Sequence, residues 1–368
     1  MHIYDKLGVK KYINAHDTYT VYGGSRMSEE TLNSMREASE YFVDMHELQE
    51  AIGNRIAELT KNESAFVTNG AAGALQLAAA VCMTNGDPYR YSRLPAITEG
   101  TKNEIIVMRC HRNAYDKALS GAGATVIEIG DADETLNFDL EGCITPKTAA
   151  VFFFDNIAYR RAEMSLDKVI AIAHVHNIPV VVDAAAMLPP KSNLWKYTSM
   201  GADLAIFSGG KTLCGPQDSG IILGKKSLID ICRKFGAPEH GVCRASKCSR
   251  ETMVGLLTAI EAFMQRDDDA EFDRLKKKLE PLEKAFVSID NVSTEYIPYG
   301  PVGQYYPRLF VHFRKEGIAE FLTKEMLNEG IYIGLDVQNN TVYFSPLNLK
   351  ETEVEITAKT AIEILNRG

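Results

Sequence analysis

"FSGGKTLCGPQDSGIILG", residues Phe207–Gly224, decides how this chain is read. An apolar run ends at Ser208, and two glycines and a single lysine, Lys211, follow. A Gly-Pro breaker comes next, and then a second apolar run. Short apolar runs bounded by turn residues predict buried strands. One amine is therefore placed on a turn in the most apolar half of the chain. Two readings compete: a solvated turn lysine, and a lysine held in a pocket for carbonyl chemistry.

Upstream, the same alternation repeats. "SAFVTNG" (64–70), "NEIIVMR" (103–109), "ATVIEIG" (124–130), "AAVFFFD" (149–155), "IPVVVDAA" (178–185) and "ADLAIFSGG" (202–210) read as strands. Helix-like segments such as "AAGALQLAAAVCM" and "LDKVIAIAHVHN" separate them. Continuous apolar strands alternating with helices predict an α/β/α layered domain with a mostly parallel sheet of the seven-stranded type. Functional groups in such sheets gather at the carboxyl ends of the strands. From about Thr252 the pattern changes to long charged helices and then short strands, which predicts a smaller C-terminal α+β domain. The expected division is an N-terminal segment 1–25 near the active site, a large domain 26–250 and a small domain 251–368.

The chain has 368 residues, a formal net charge of -9 and a pI near 5.5. That balance argues against a nucleic-acid binder, and the basic run Arg274–Lys278 reads as a solvated helix face. Seven scattered cysteines without a Cys-x-x-Cys pair indicate neither a disulfide framework nor a zinc site, and no metal is expected. No signal-peptide pattern opens the sequence, and no apolar run approaches the roughly 20 residues of a membrane helix. A soluble cytoplasmic protein is expected.

Three valines lead into Asp183, so a carboxylate sits at the tip of a buried strand and needs a partner. Alone, such an Asp reads as a helix cap or half of a salt bridge. Lys211 lies one strand further on, also at a strand end. An Asp and a Lys on neighbouring strand ends suggest pyridoxal 5'-phosphate, whose aldehyde forms a Schiff base with the lysine while the Asp pairs with the pyridine nitrogen. "TNGAAGAL" (68–75) ends a strand and opens a helix, leaving the backbone N–H groups of Gly70, Ala71 and Ala72 for an anion. Ser208 is a second phosphate contact. His111, at another strand-to-helix junction, is placed to stack on the cofactor ring or to cap the junction. Asp155, after "VFFF", is a group near the ring or a strand-end cap.

Together these segments resemble the fold-type I pyridoxal-phosphate enzymes, in the branch of bacterial selenocysteine synthase and D-glucosaminate-6-phosphate ammonia-lyase. "YINAHDTYTVYGGSRMSEE" (12–30), "DMHELQEAIGNRIAELTKNESAFVTNGAAGAL" (44–75), "VVVDAAAMLPP" (180–190), the stretch around Lys211, and "CRASKCSRETMVGLLTAIEAF" (243–263) carry the resemblance over nearly the whole chain. It implies an aspartate aminotransferase-like fold. It also implies that Lys211 is the Schiff-base lysine, Asp183 the pyridine partner and His111 the stacking residue. Arg244 and Lys247 fall on the branch's basic motif and would bind an anionic group. Tyr19, Tyr22 and Ser25 would border the pocket, and Arg308 in "YPRLFVHF" would take a substrate carboxylate by a two-pronged hydrogen bond. His16, Asp17, Ser246 and Cys248 depart from the branch's pattern.

The expected activity is α,β-elimination of a β-hydroxy amino acid or amino-sugar acid to a 2-keto acid and ammonia. In the scheme the resemblance implies, the freed Lys211 removes the Cα proton. A racemase or aminotransferase on the same core is the alternative, since all three share the carbanion. A non-catalytic ligand-binding relative would be expected to have lost the lysine site, which is intact here. The expected partners are a small-molecule substrate and further copies of the same chain.

Overall fold

The structure is a computed structural model and describes residues 2–367. The apolar runs form a seven-stranded sheet: β1 (Ser64–Asn69), β2 (Glu104–Met108), β3 (Thr125–Ile129), β4 (Thr148–Phe154), β5 (Val180–Asp183), β6 (Leu204–Ser208) and β7 (Ser219–Gly224). Their order is β1-β7-β6-β5-β4-β2-β3. The pairs from β6 to β3 are parallel, whereas β7 runs antiparallel to both β6 and β1. All seven residues of β4 and all six of β7 are buried. That is why these strands carry no polar alternation: both faces are covered. Phe66, Phe152, Val181, Ile206 and Ile222 share one cluster with the alanine-rich helix Gly70–Thr84. Their neighbours Val67, Phe153, Val182, Phe207 and Ile221 point to the other face and are equally buried.

The chain divides into two compact units, one of residues 27–265 and the other of residues 1–26 with 266–368. The helix Arg250–Gln265, expected in the smaller domain, belongs to the first unit. Its apolar face, with Met253, Leu256, Ile260 and Phe263 buried, packs on the helices Glu29–Ser39 and Met45–Thr60. An amphipathic pattern shows that a helix has a buried face without showing which core receives it.

The second unit holds a four-stranded antiparallel sheet built from Val292–Ile297, Arg308–Phe313, Gly334–Asp336 and Thr341–Phe344. The helices Asp268–Val287, Ile318–Asn328 and Glu351–Leu365 contribute to its core. The N-terminal segment joins this unit, because Ile13–Asn14 pairs in parallel with Ile331–Tyr332 and Ala15 enters the core. Among the described residues no helix is long and apolar enough to cross a membrane.

One close approach shapes the large sheet's functional edge. A Cβ on Gly220 would fall 2.5 Å from the carbonyl carbon of Gly70 and 2.8 Å from the amide of Ala71. Gly220→Ala should therefore push the first turn of helix Gly70–Thr84 off β7 and destabilise the protein by about 1–3 kcal/mol. Urea unfolding measures this, and an unchanged midpoint would contradict the packing.

Candidate active site

Three strands bring their carboxyl ends together beyond the last ladder bonds. The amide of Asp155 donates to the Asp183 carbonyl at 2.9 Å, that of Ala184 to Ile206 at 2.9 Å, and that of Ser208 to Ala185 at 3.1 Å. Asp183 is buried, and its Oδ1 accepts the amide of Ala185 at 2.9 Å. No other hydrogen bond reaches this carboxylate among the described residues. Burial pushes its pKa up, while the Ala185 amide and the charge of Lys211 pull it back. A buried carboxylate held by one amide retains the capacity for a cationic N–H donor. Lys211 is half-buried on the loop after β6 and close enough to bias Asp183.

The flanking glycines serve the protein itself. A Cβ on Gly209 would lie 2.0 Å from Ser219 Oγ, and one on Gly210 would lie 2.6 Å from Gln217 Cα. The Lys211 turn is thus folded tightly against the loop leading into β7. Cys214 N donates to the Lys211 carbonyl at 2.9 Å, and Thr212 Oγ1 to the Leu188 carbonyl at 2.7 Å. These contacts fix the backbone that carries the amine.

The end of β1 turns directly into a helix. Gly70 has φ +65°, a conformation that favours glycine, and helix Gly70–Thr84 begins there. Its N-cap, Asn69, makes no side-chain cap, and the first turn contains no acidic residue. Gly70 and Ala71 are half-buried and Ala72 is exposed, so first-turn amides remain open to an anion. The segment carrying Arg244 and Lys247 lies beside this turn: a Cβ on Gly73 would meet Ser246 Cβ at 3.2 Å. Neither cation makes an ion pair or hydrogen bond among the described residues. Ser208 is half-buried at the end of β6.

His111 and Asp155 are both held by side chains of neighbouring elements. The His111 ring is fully buried, so no imidazole face is open for a cofactor to lie on. Its Nδ1 accepts the amide of Phe154 at 3.2 Å, so the proton of the neutral ring is on Nε2, which donates to Glu163 Oε2 at 3.0 Å. Through these bonds His111 ties the end of β2 to β4. The Asp155 carboxylate is taken up by Arg160 Nη2 at 2.5 Å and the Tyr197 hydroxyl at 2.7 Å. Arg160 Nη1 also donates to Glu163 Oε1 at 3.0 Å, which closes a chain from His111 to Tyr197. Glu163, Arg160 and Tyr197 carry no motif spacing, and sequence reasoning missed them.

In the second unit, Arg308 is only 7% exposed. Its Nε donates to the Tyr299 carbonyl at 3.0 Å, and its guanidinium lies 5.0 Å from the ring centres of Phe310 and Tyr343. Its two Nη atoms have no hydrogen-bond partner among the described residues and are not enclosed. That is an open fork suited to a carboxylate. Tyr19 is 44% exposed with its ring edge-on to His16, and Ser25 is half-buried.

A profile of the L-seryl-tRNA selenium transferase family, SelA, matches residues 25–283. The chain belongs to that family. It is 32% identical over 268 residues to D-glucosaminate-6-phosphate ammonia lyase of Salmonella typhimurium, covering 72% of this chain and 70% of that protein. It is 31% identical over 296 residues to a 5'-C-glycyluridine monooxygenase-decarboxylase of a Streptomyces species, covering 78% and 71%. The solved D-glucosaminate-6-phosphate ammonia-lyase superposes with a TM-score of 0.88 at 27% identity, over 100% of this chain and 99% of the other. Serine palmitoyltransferase of Sphingomonas wittichii, at 14% identity and a TM-score of 0.60 over 97% and 88%, shares the fold alone. This SelA-family member is a fold-type I enzyme whose cofactor is pyridoxal 5'-phosphate. The residues present fit that group: a buried carboxylate with acceptor capacity to spare, an amine beside it, and an uncapped helix start.

The raised pKa of Asp183 has a stability consequence. The folded protein binds this proton more tightly than the unfolded chain, so the group's contribution is lost as pH rises above the ordinary value of 3.8. Asp183→Asn removes that cost at neutral pH. The cofactor-free variant should melt a few degrees above cofactor-free wild type at pH 7, and the gap should close towards pH 4. An equal or lower midpoint at pH 7 would show that Asp183 is already paired.

Proposed function

We propose that this protein is a pyridoxal-phosphate-dependent ammonia-lyase. It converts a β-hydroxy amino acid or an amino-sugar acid, with D-glucosaminate 6-phosphate as the leading candidate, to a 2-keto acid and ammonia. The observation that carries the reading is the full-length likeness to the solved D-glucosaminate-6-phosphate ammonia-lyase. When bound, the cofactor supplies an electron sink for the carbanion at the substrate Cα.

The chain's own residues supply the rest. Lys211 holds the cofactor covalently and, once released, takes the Cα proton. Asp183 keeps the proton on the pyridine nitrogen. The amides of Gly70, Ala71 and Ala72, with Ser208, hold the cofactor phosphate. Arg244 and Lys247 bind the substrate's phosphate, and Arg308 binds its carboxylate. Tyr19 and Ser25 border the substrate. His111 and Asp155 act through the backbone and side chains they brace, and are positioning residues. Loss of the Cα proton and of the β-hydroxyl as water leaves a free enamine, whose imine tautomer reacts with water to give the keto acid and ammonia. The protein is proposed to work in the cytoplasm as a homodimer or larger assembly.

The cofactor-loaded protein should release keto acid from D-glucosaminate 6-phosphate without any added keto acid. A requirement for an added keto acid would indicate an aminotransferase, and loss of optical rotation alone a racemase. Lys211→Ala should lower kcat by about 10^2–10^4-fold. Lys247→Ala should raise KM for the phosphorylated substrate by about tenfold and leave the unphosphorylated amino-sugar acid unaffected. A Lys247→Ala enzyme with unchanged KM for the phosphorylated substrate would exclude that residue as a phosphate ligand.

A further inference from the structure

His16 and Tyr343 are not accounted for by the reading above, and they adjoin Arg308. The His16 ring is edge-on to the Tyr343 ring at 5.3 Å, and its Nε2 lies 3.4 Å from the Tyr343 hydroxyl. Tyr343 in turn lies under the Arg308 guanidinium at 5.0 Å. It is stacked on Phe310 at 5.2 Å, so its position is set by packing. Gly334 opposite it has room for no side chain: a Cβ there would fall 2.1 Å from the Tyr343 ring.

The hydrogen bonds around this group are incomplete. His16 Nδ1 is enclosed and has no partner. Burial and the Arg308 cation lower the His16 pKa, against an opposing effect of Asp17, so the ring is neutral at pH 7. A neutral imidazole has one donor and one acceptor. An enclosed N–H without a partner is rarer than an enclosed acceptor without one. The proton therefore belongs on Nε2, which donates to the Tyr343 oxygen. The Tyr343 proton is then turned away from His16. Burial keeps this phenol protonated. No hydrogen bond joins the Tyr343 hydroxyl to Asp17, whose oxygens accept from Thr18 and from the Tyr306 hydroxyl at 2.7 Å. The Tyr343 O–H thus has no acceptor among the described residues, and it stands beside the open Arg308 fork.

We propose that Tyr343 donates a hydrogen bond to a hydroxyl oxygen on a ligand whose carboxylate is held by Arg308, and that His16 is the positioning residue that aims it. The second unit then selects carboxylates that carry a hydroxyl over those that do not. This rests on the assignment of Arg308 to the substrate carboxylate.

The test measures binding and not turnover, so its outcome is separate from that of the lyase reading. Propionate and 3-hydroxypropionate differ by one hydroxyl and have no amine to react with the cofactor. Their dissociation constants are measured on the cofactor-loaded full chain by calorimetry or ligand-observed NMR. Wild type should bind 3-hydroxypropionate roughly three- to tenfold tighter than propionate. Tyr343→Phe, which keeps the ring packing, should bind the two equally with propionate unchanged. His16→Ala should reduce the preference, and His16→Gln, which retains a side-chain N–H, should restore part of it. Arg308→Gln should weaken both acids. Equal binding by wild type, a preference that survives Tyr343→Phe, or no saturable binding of either acid would overturn the proposal.

Discussion

A single buried carboxylate organises this molecule. Asp183 ends a strand of valines; burial pushes its pKa up, and the Ala185 amide and the Lys211 charge oppose that shift. Taking a carboxylate out of water is costly unless it is paired. Under the proposed function, the cofactor's pyridine nitrogen would complete the pairing. The surrounding architecture keeps the arrangement in place. The amides of Asp155, Ala184 and Ser208 join β4, β5 and β6 past the end of the sheet. The crowded Gly209–Gly210 turn leaves the lysine backbone little choice of path.

The edge of the sheet around this carboxylate is braced by charge. His111, Glu163, Arg160, Asp155 and Tyr197 form one connected chain of hydrogen bonds. Such a network holds strand ends in register in a low-dielectric setting, where each bond strengthens its neighbours. A rigid frame suits a sheet edge that keeps an amine beside a buried carboxylate. The second unit carries groups of another kind. Arg308 and Tyr343 keep donors open, whereas Asp17 and Tyr306 beside them are mutually satisfied.

Much of this was legible in the sequence. Apolar runs closed by Gly and Pro marked the strands, and the layered, mostly parallel sheet follows from them. Lys211 and Asp183 stood out because charged residues at the tips of apolar strands are rare without a reason. Other features had no sequence signal. The helix Arg250–Gln265 showed an apolar face, but not that its partners were the helices Glu29–Ser39 and Met45–Thr60. His111 looked like a stacking residue from its junction position. Its enclosure by Phe153, Tyr159 and Glu163 depends on contacts far apart in the chain. The glycines beside Lys211 marked a turn, but not that the atoms they avoid are those of Ser219 and Gln217.

The central claim is that Lys211, beside Asp183, is the covalent anchor of pyridoxal 5'-phosphate. Borohydride reduction of the cofactor-loaded protein, followed by peptide mapping by mass spectrometry, tests it most directly. The account predicts one pyridoxyl-phosphate adduct per chain, on Lys211. An adduct on another lysine, or none after loading with the cofactor, would contradict it.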